Sequence, residues 1–414
     1  MNIYENGYIY ENTSNEYIMR ASNEVHLPSL LLLDYNLLHT YFKNETVISV
    51  FRIFVLTDNE IVDYEISSDV ISANMSITYQ SGQRRTLSLV LANQENKWRY
   101  GARENLWRGM KFRLDVGVLI DDTVYWQPHG IFILAEPVPS SVGSNQTISL
   151  SLTDKWGLWD GSAFGNTQFK TIIPTQVPMR LAFEAIIHDS NGIGGMWDCK
   201  PIKFNSQYWD TLTYYTIKQD AGQNIADPLL SMANTISSDC YYDELGHFNV
   251  ESNVWEFINN NVPVIWNFDE YGMDCDYPQI KYKQTEYYNQ IKTKGAVVNG
   301  YQFTGTAQNT NRHSLYNIYD MPLLPKTNSN PKLFSDELCA EQSRYEMVRQ
   351  SRGLMSVSMS CTCMPFLDVN RAVLLNFPTL GIDNEIFIID SISYNIESDC
   401  KMTINLTSAA EVVF

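Results

Sequence analysis

Six histidines, a group of acids and seven cysteines are the residues of this chain that could carry bond chemistry, and their spacing argues against each chemistry in turn. His26, His39, His129, His188, His247 and His313 are scattered, and none has a second histidine at the short spacing a zinc site uses. A zinc hydrolase is therefore unsupported, and no metal or cofactor is expected. His129, in Gln127-Pro128-His129-Gly130, is the best-placed candidate base, yet a turn histidine bonded to nearby backbone is the simpler expectation. Asp269, Glu270, Asp274 and Asp276 gather carboxylates as a glycosidase requires. They lack calcium-loop spacing and surround Gly272, so a solvated acidic loop is expected.

The remaining motifs are weaker. Cys199, Cys240, Cys275, Cys339, Cys361, Cys363 and Cys400 form an odd set without paired metal-finger spacing, so reduced thiols are expected. Cys361 and Cys363 would share one face of a strand as small buried residues. Gly161-Ser162-Ala163-Phe164-Gly165 has the wrong spacing for a nucleophile elbow, and Gly192-Ile193-Gly194-Gly195 lacks the strand-to-helix setting of a dinucleotide fingerprint. No catalytic residue is expected, and the chain is not read as an enzyme.

Arg84, Arg85, Arg99, Arg103, Arg108, Lys111 and Arg113 make residues 84–113 the most basic stretch, interleaved with Trp98, Tyr100 and Trp107. Cations alternating with aromatic rings suit single-stranded nucleic acid. The formal charge of −18 opposes binding by phosphate neutralisation, although an acidic wall would let DNA pass without sticking. The strip is read instead as an assembly interface, a basic edge docking on acids of a neighbouring copy.

The elements that hold these residues are mostly strands. With 414 residues and 44% hydrophobic content, the chain can fill several cores. The start lacks the basic region, apolar core and cleavage site of a signal peptide, and Pro28, Asp34, Asn36 and His39 interrupt the apolar stretch 27–42 well short of a membrane span. Cytoplasmic synthesis is expected. From Val47 to Thr153 apolar residues alternate with polar ones in six or seven short strands, with a hairpin at Asp121-Asp122-Thr123. Such strands must pair into a sandwich or close into a barrel, and a barrel is expected, plugged by Trp98, Trp107 and Trp126.

Pro178 opens a helical stretch through Ile187, and a second helix is expected from about Ala221 to Ile236. Tyr241 to Val250 then reads as a hairpin. Strands return near Tyr288, with Asn299-Gly300 marking the strongest hairpin turn, and Ser335-Asp336-Glu337 begins a helix through Arg349. One signature occurs twice. Ile131-Phe132-Ile133-Leu134 precedes Ile148 to Thr153, and Ile386-Phe387-Ile388-Ile389 precedes Met402 to Thr407 at nearly the same separation. Upstream, Leu106 to Leu114 matches Leu367 to Leu374. The expected class is mainly β with an α+β middle: two similar antiparallel β-barrel domains flanking a small α/β domain, with a helical insertion in the second barrel. The divisions are an N-terminal extension 1–45, a first barrel 46–158, a middle domain 159–279, and a second barrel 280–414 with its insertion at about 335–350.

Gln83-Arg84-Arg85-Thr86-Leu87-Ser88-Leu89, then Asn93, Lys97-Trp98, Leu106 to Lys111 and Pro128-His129-Gly130-Ile131-Phe132-Ile133 resemble the first barrel of bacteriophage tail-hub or baseplate-hub proteins. Asn289-Gln290-Ile291, the hairpin 297–307, Pro365 to Val369 and Glu385 to Asp390 resemble the second. The resemblance covers about residues 47–414, and the first 45 residues have no counterpart in it. It implies a structural virion protein at the tail tip or baseplate: a homotrimer that joins the sixfold tail tube to a threefold tip and surrounds the DNA exit channel. The implied partners are other copies of itself, the tail tube or distal tail protein, the tape-measure protein and tail spike or receptor-binding proteins, with DNA only as passing cargo. The alternative, from the 13% aromatic content on β-scaffolds, is a carbohydrate- or receptor-binding tail protein.

Overall fold

The computed structural model describes residues 3–5, 8–13, 16–21, 35–44, 47–101, 104–142, 145–167, 170–188, 198–206, 210–252, 264–282, 287–314, 316–351, 355–396 and 400–409; His26, Arg103, residues 192–195 and residues 410–414 lie outside them. Among the described residues, thirteen strands share one sheet. They are β1 (Ile48–Leu56), β2 (Val62–Glu65), β3 (Val70–Thr78), β4 (Arg85–Ala92), β5 (Lys111–Ile120), β6 (Thr123–Val142), β7 (Asn145–Asp154), β8 (Val264–Asp269), β9 (Gln279–Tyr282), β10 (Met355–Thr362), β11 (Ala372–Phe377), β12 (Ile382–Ile396) and β13 (Lys401–Ser408). Alternation sets which face is covered. Ala73, Met75 and Ile77 of β3 and Leu87, Leu89 and Leu91 of β4 are buried, while the residues between them are more exposed. Asp121 and Asp122 adopt φ of 46° and 63°, and Ile120 pairs with Thr123, so the expected β5–β6 hairpin has a tight turn with both central residues left-handed.

The repeated signature is a repeated structure. Strands β1, β3, β4, β5, β6 and β7 recur in the same chain order as β8 to β13, with the same neighbours: β5 pairs β6 as β11 pairs β12, and β6 pairs β7 as β12 pairs β13. Likewise β7 pairs β4 and β4 pairs β3, as β13 pairs β10 and β10 pairs β9. Both copies carry a bulge at the same place. Leu134 pairs with Leu152 and Glu136 with Ser151, so Ala135 is the extra residue; Ile389 pairs with Leu406 and Ser391 with Asn405, so Asp390 is. One difference is that β1 runs antiparallel to β5 whereas β8 runs parallel to β11. The two halves are fused by a ladder between β3 and β12, from Ser391 with Thr78 to Ile396 with Ala73. A single apolar core therefore holds residues of both, including Met75, Phe112, Phe132, Trp266, Phe387 and Tyr394.

Other expectations shift in detail. Strand β8 precedes residue 280, where the second barrel was expected to start, yet pairs with β11. The hairpin at Asn299-Gly300 forms, with φ of 52° and 82° and Val298 opposite Tyr301. It belongs, however, to a separate three-stranded sheet of Gln290–Val298, Tyr301–Gln308 and Pro325–Ser329. The expected helix lies across that sheet. Its backbone approaches so closely that a Cβ on Gly305 would sit 2.0 Å from the Ala340 nitrogen.

Helix α1 (Tyr35–Asn44) seats Phe42 against Trp266 and Phe366 in the main core. Helices α2 (Met179–Ile187) and α3 (Ala226–Thr235) pack with Trp156, Trp159, Tyr242 and Phe248 in a second core. Helix α3 is shorter than expected, because Gly222 takes a φ of 84° and the Asn224 side chain accepts the Ala226 N–H at 2.7 Å, so the first turn begins there. Helix α4 (Asp336–Ser351) is the one across the small sheet. Cys361, in β10, and Cys363, just past the end of that strand, are both buried.

Candidate assembly interface and the charge clusters behind it

The acidic group is not a solvated loop throughout. Strand β8 carries Trp266 into the core, and its indole N–H donates to Asp274 Oδ2 at 2.9 Å. Lys43, from α1, places its Nζ 3.1 Å from both Asp269 Oδ2 and Asp274 Oδ2, and Asp274 is fully buried. Asp276 stays exposed. The acids of a would-be catalytic pair are thus committed to a cation and an indole, an anchor that fastens α1 to the C-terminal half.

The basic strip divides in two. Arg84, Arg85 and Lys111 turn inward, which corrects the expectation of one continuous exposed strip. The backbone N–H groups of Arg84 and Arg85 both donate to Asp154 Oδ2 at 2.9 Å, and the Arg84 guanidinium lies 3.2 Å over the Tyr241 ring. Arg85 Nη1 donates to the Tyr242 carbonyl and Nη2 to Asp368 Oδ2, each at 2.6 Å. One guanidinium thereby joins β4, the middle segment and the turn before β11. Arg113 is half-buried, its Nε 3.0 Å from Asp115 Oδ1. Arg99 and Arg108 are exposed. Of the expected plugs, Trp98 is buried, Trp107 is exposed, and Trp126 lies within β6 with Arg52 stacked 4.2 Å over its ring.

His129 is not a turn residue. It lies within β6, buried, its ring 5.0 Å from that of Tyr394 across the junction of the halves, and its Nε2 has no hydrogen-bond partner among the described residues. Burial and the neighbouring Arg85 charge push its pKa down to about 3. A neutral, enclosed imidazole of this kind packs a junction between the halves.

The cluster that sequence reading missed centres on Glu60. Its carboxylate contacts Lys111 Nζ at 3.0 Å, Lys155 Nζ at 2.8 Å and Lys200 Nζ at 3.5 Å, and Lys155 also meets Asp198 at 2.6 Å. Glu60 and Lys155 have no exposed side-chain surface. Burial by itself would raise the Glu60 pKa, but attraction by Lys155, Lys111 and Lys200 overrides it and holds the carboxyl at about 2. The cluster ties the β1–β2 turn to the middle segment. Glu60 adopts a φ of 61°, unusual for glutamate, in a turn that its polar residues alone did not single out in the sequence.

Large apolar side chains stand exposed around β9, among them Tyr271 at 89%, Met273 at 66%, Tyr277 at 61% and Tyr282 at 68%. The outer edge of β9 and the edge of residues 136–141 in β6 opposite β7 are unpaired among the described residues. Arg99 is exposed as well, and Arg108, also exposed, donates its Nε N–H to the Ala163 carbonyl at 2.5 Å.

A family model described as a domain of unknown function, DUF5048, matches residues 311–412. No curated protein matches the chain. Among solved structures, a tail protein from Neisseria meningitidis MC58 aligns at a TM-score of 0.58 and 10% identity, over 87% of this chain and 98% of its own. The 43 kDa tail protein of prophage MuSo2 from Shewanella oneidensis aligns at 0.58 and 13%, over 88% and 100%. The prophage tail protein gp18 from Listeria monocytogenes aligns at 0.52 and 11%, over 87% and 95%. Across nearly the full length of each, the fold of this chain is similar to that of these phage tail proteins.

Proposed function

We propose that this chain is a structural virion protein, the homotrimeric hub of a phage tail or baseplate, which adapts a sixfold tail tube to a threefold tip and surrounds the channel through which DNA leaves. The observation that carries the reading is the five-strand arrangement of β3 to β7, which recurs in β9 to β13 with a shared bulge between the last two strands. Two similar units in each of three identical chains provide six similar positions around an axis, and heterologous contacts between them close a ring. The working division is two β-barrels, β1 to β7 and β8 to β13, around the middle segment, with the three-stranded sheet and α4 inserted in the second. The net charge of −18 suits a channel that DNA crosses without binding. The tail tube, the tape-measure protein and a spike or receptor-binding protein are the proposed partners, and the exposed Arg99 and Arg108 are kept as part of the assembly surface. No helix among the described residues is long and apolar enough to cross a membrane. Light scattering on the purified chain tests the reading: the expected mass is three times the 47.5 kDa of one chain. A stable monomer at micromolar concentration would count against it.

A further inference from the structure

We propose that a second copy of this chain docks its β9 edge on the 136–141 edge of β6, in the register that β3 and β12 use inside the chain. The inference rests on the hub reading and says where its copies meet. Leu87 pairs with Leu152 and Met75, while Val357 pairs with Leu406 and Ile280, so Met75 corresponds to Ile280. The shared bulge sets Ile389 on Leu134. The internal junction, where Ser393 faces Ser76, therefore has as its counterpart Val138 of one copy facing Lys281 of the next. Both strands of that counterpart have a free edge in the single chain among the described residues. Val138, Glu136 and Lys281 are exposed, and in this register Glu136 is the diagonal neighbour of Lys281, an opposite-charge contact.

Two prolines make the junction between copies unlike the one within. The Asn93 N–H donates to the Gln146 carbonyl at 2.8 Å, so even-numbered residues of β7 face β4 and odd-numbered ones face β6. Residues 136, 138 and 140 of β6 consequently point their peptide groups at β7, and Pro137 and Pro139 point theirs at the open edge. That edge offers carbonyls but lacks the N–H groups that Ile392 and Tyr394 have at the corresponding positions of β12. An edge short of donors resists indiscriminate strand addition, and the seams between copies are weaker than the ladder inside each chain.

Cysteine pairing tests the register. The Tyr79 N–H donates to the Asp390 carbonyl, which makes Ser393 with Ser76 a non-hydrogen-bonded pair. Its counterpart would hold Cα atoms about 4.5 Å apart, within disulfide range. The full chain carrying Val138→Cys and Lys281→Cys, mildly oxidised, is expected to yield covalent trimers on a non-reducing gel, and neither single variant to do so. A trimer by light scattering that gives no cross-link would overturn this docking and leave the hub reading standing; a monomer without cross-link would overturn both. Replacing the prolines by the residues of the other half, Pro137→Ile with Pro139→Tyr, is expected to slow subunit dissociation about fivefold or more by restoring hydrogen bonds. An unchanged dissociation rate would refute the donor-poor seam.

Discussion

Arg85→Ala is expected to lower stability by about 3–5 kcal/mol, read as a fall in the urea midpoint. Arg85 is 1% exposed, and its two donors reach the Tyr242 carbonyl and Asp368 Oδ2. Burial alone would discourage its charge, but Asp368, Glu244, Asp154 and Asp243 surround it and raise the guanidinium's pKa. Removing it leaves those carboxylates facing one another and detaches β4 from both the middle segment and the turn before β11. Arg85→Lys is expected to recover little, because an ammonium on a flexible stem does not reproduce the planar fork that serves two acceptors at once. A midpoint for Arg85→Ala within about 1 kcal/mol of the parent, the scale of an exposed ion pair, would show that the three segments hold together without it.

Glu60→Gln is expected to have a similar effect near pH 7, about 3–5 kcal/mol, because it removes the carboxylate that Lys111, Lys155 and Lys200 share. The pH dependence distinguishes this charge effect from simple loss of packing. A carboxyl whose folded pKa is depressed stabilises the fold above its ordinary value of 4.5 and loses that contribution as pH falls toward about 2. The gap between parent and Glu60→Gln should therefore close by roughly 1.4 kcal/mol per pH unit across that window. His129 contributes in the same direction from higher pH, since its pKa is depressed from 6.5 to about 3 and the unfolded chain takes up the proton first. That term is common to both proteins and cancels in the comparison. A gap independent of pH between 5 and 2 would contradict the assigned role.

What could be read from sequence followed from periodicity and turn chemistry. Ile386 to Ile389 against Ile131 to Leu134 betrayed the repeat, because a bulged strand between two partners imposes the same apolar pattern wherever it occurs. Asn299-Gly300 and Pro178 marked their elements because positive φ and a missing N–H act locally. Long-range placement was not legible. Arg85 and Lys111 look like surface residues in any window, and only the arrival of Asp368 and Glu60 from distant segments makes their burial tolerable. Strand β8 was hidden beneath its acidic flank, and the role of Lys43 depends on a helix docking more than two hundred residues away in sequence. The ladder between β3 and β12 has no local signature at all, since either strand, read alone, is simply an alternating strand.

The proposed hub is one ring around a channel, formed by duplicated units from three identical chains. Averaged electron-microscope images of the purified assembly, viewed down its principal axis, test it most directly. A threefold ring of six similar lobes around an open or plugged centre is expected, with alternating close and looser seams between lobes. Images showing an isolated two-lobed particle, or a ring whose lobes number other than six, would contradict it.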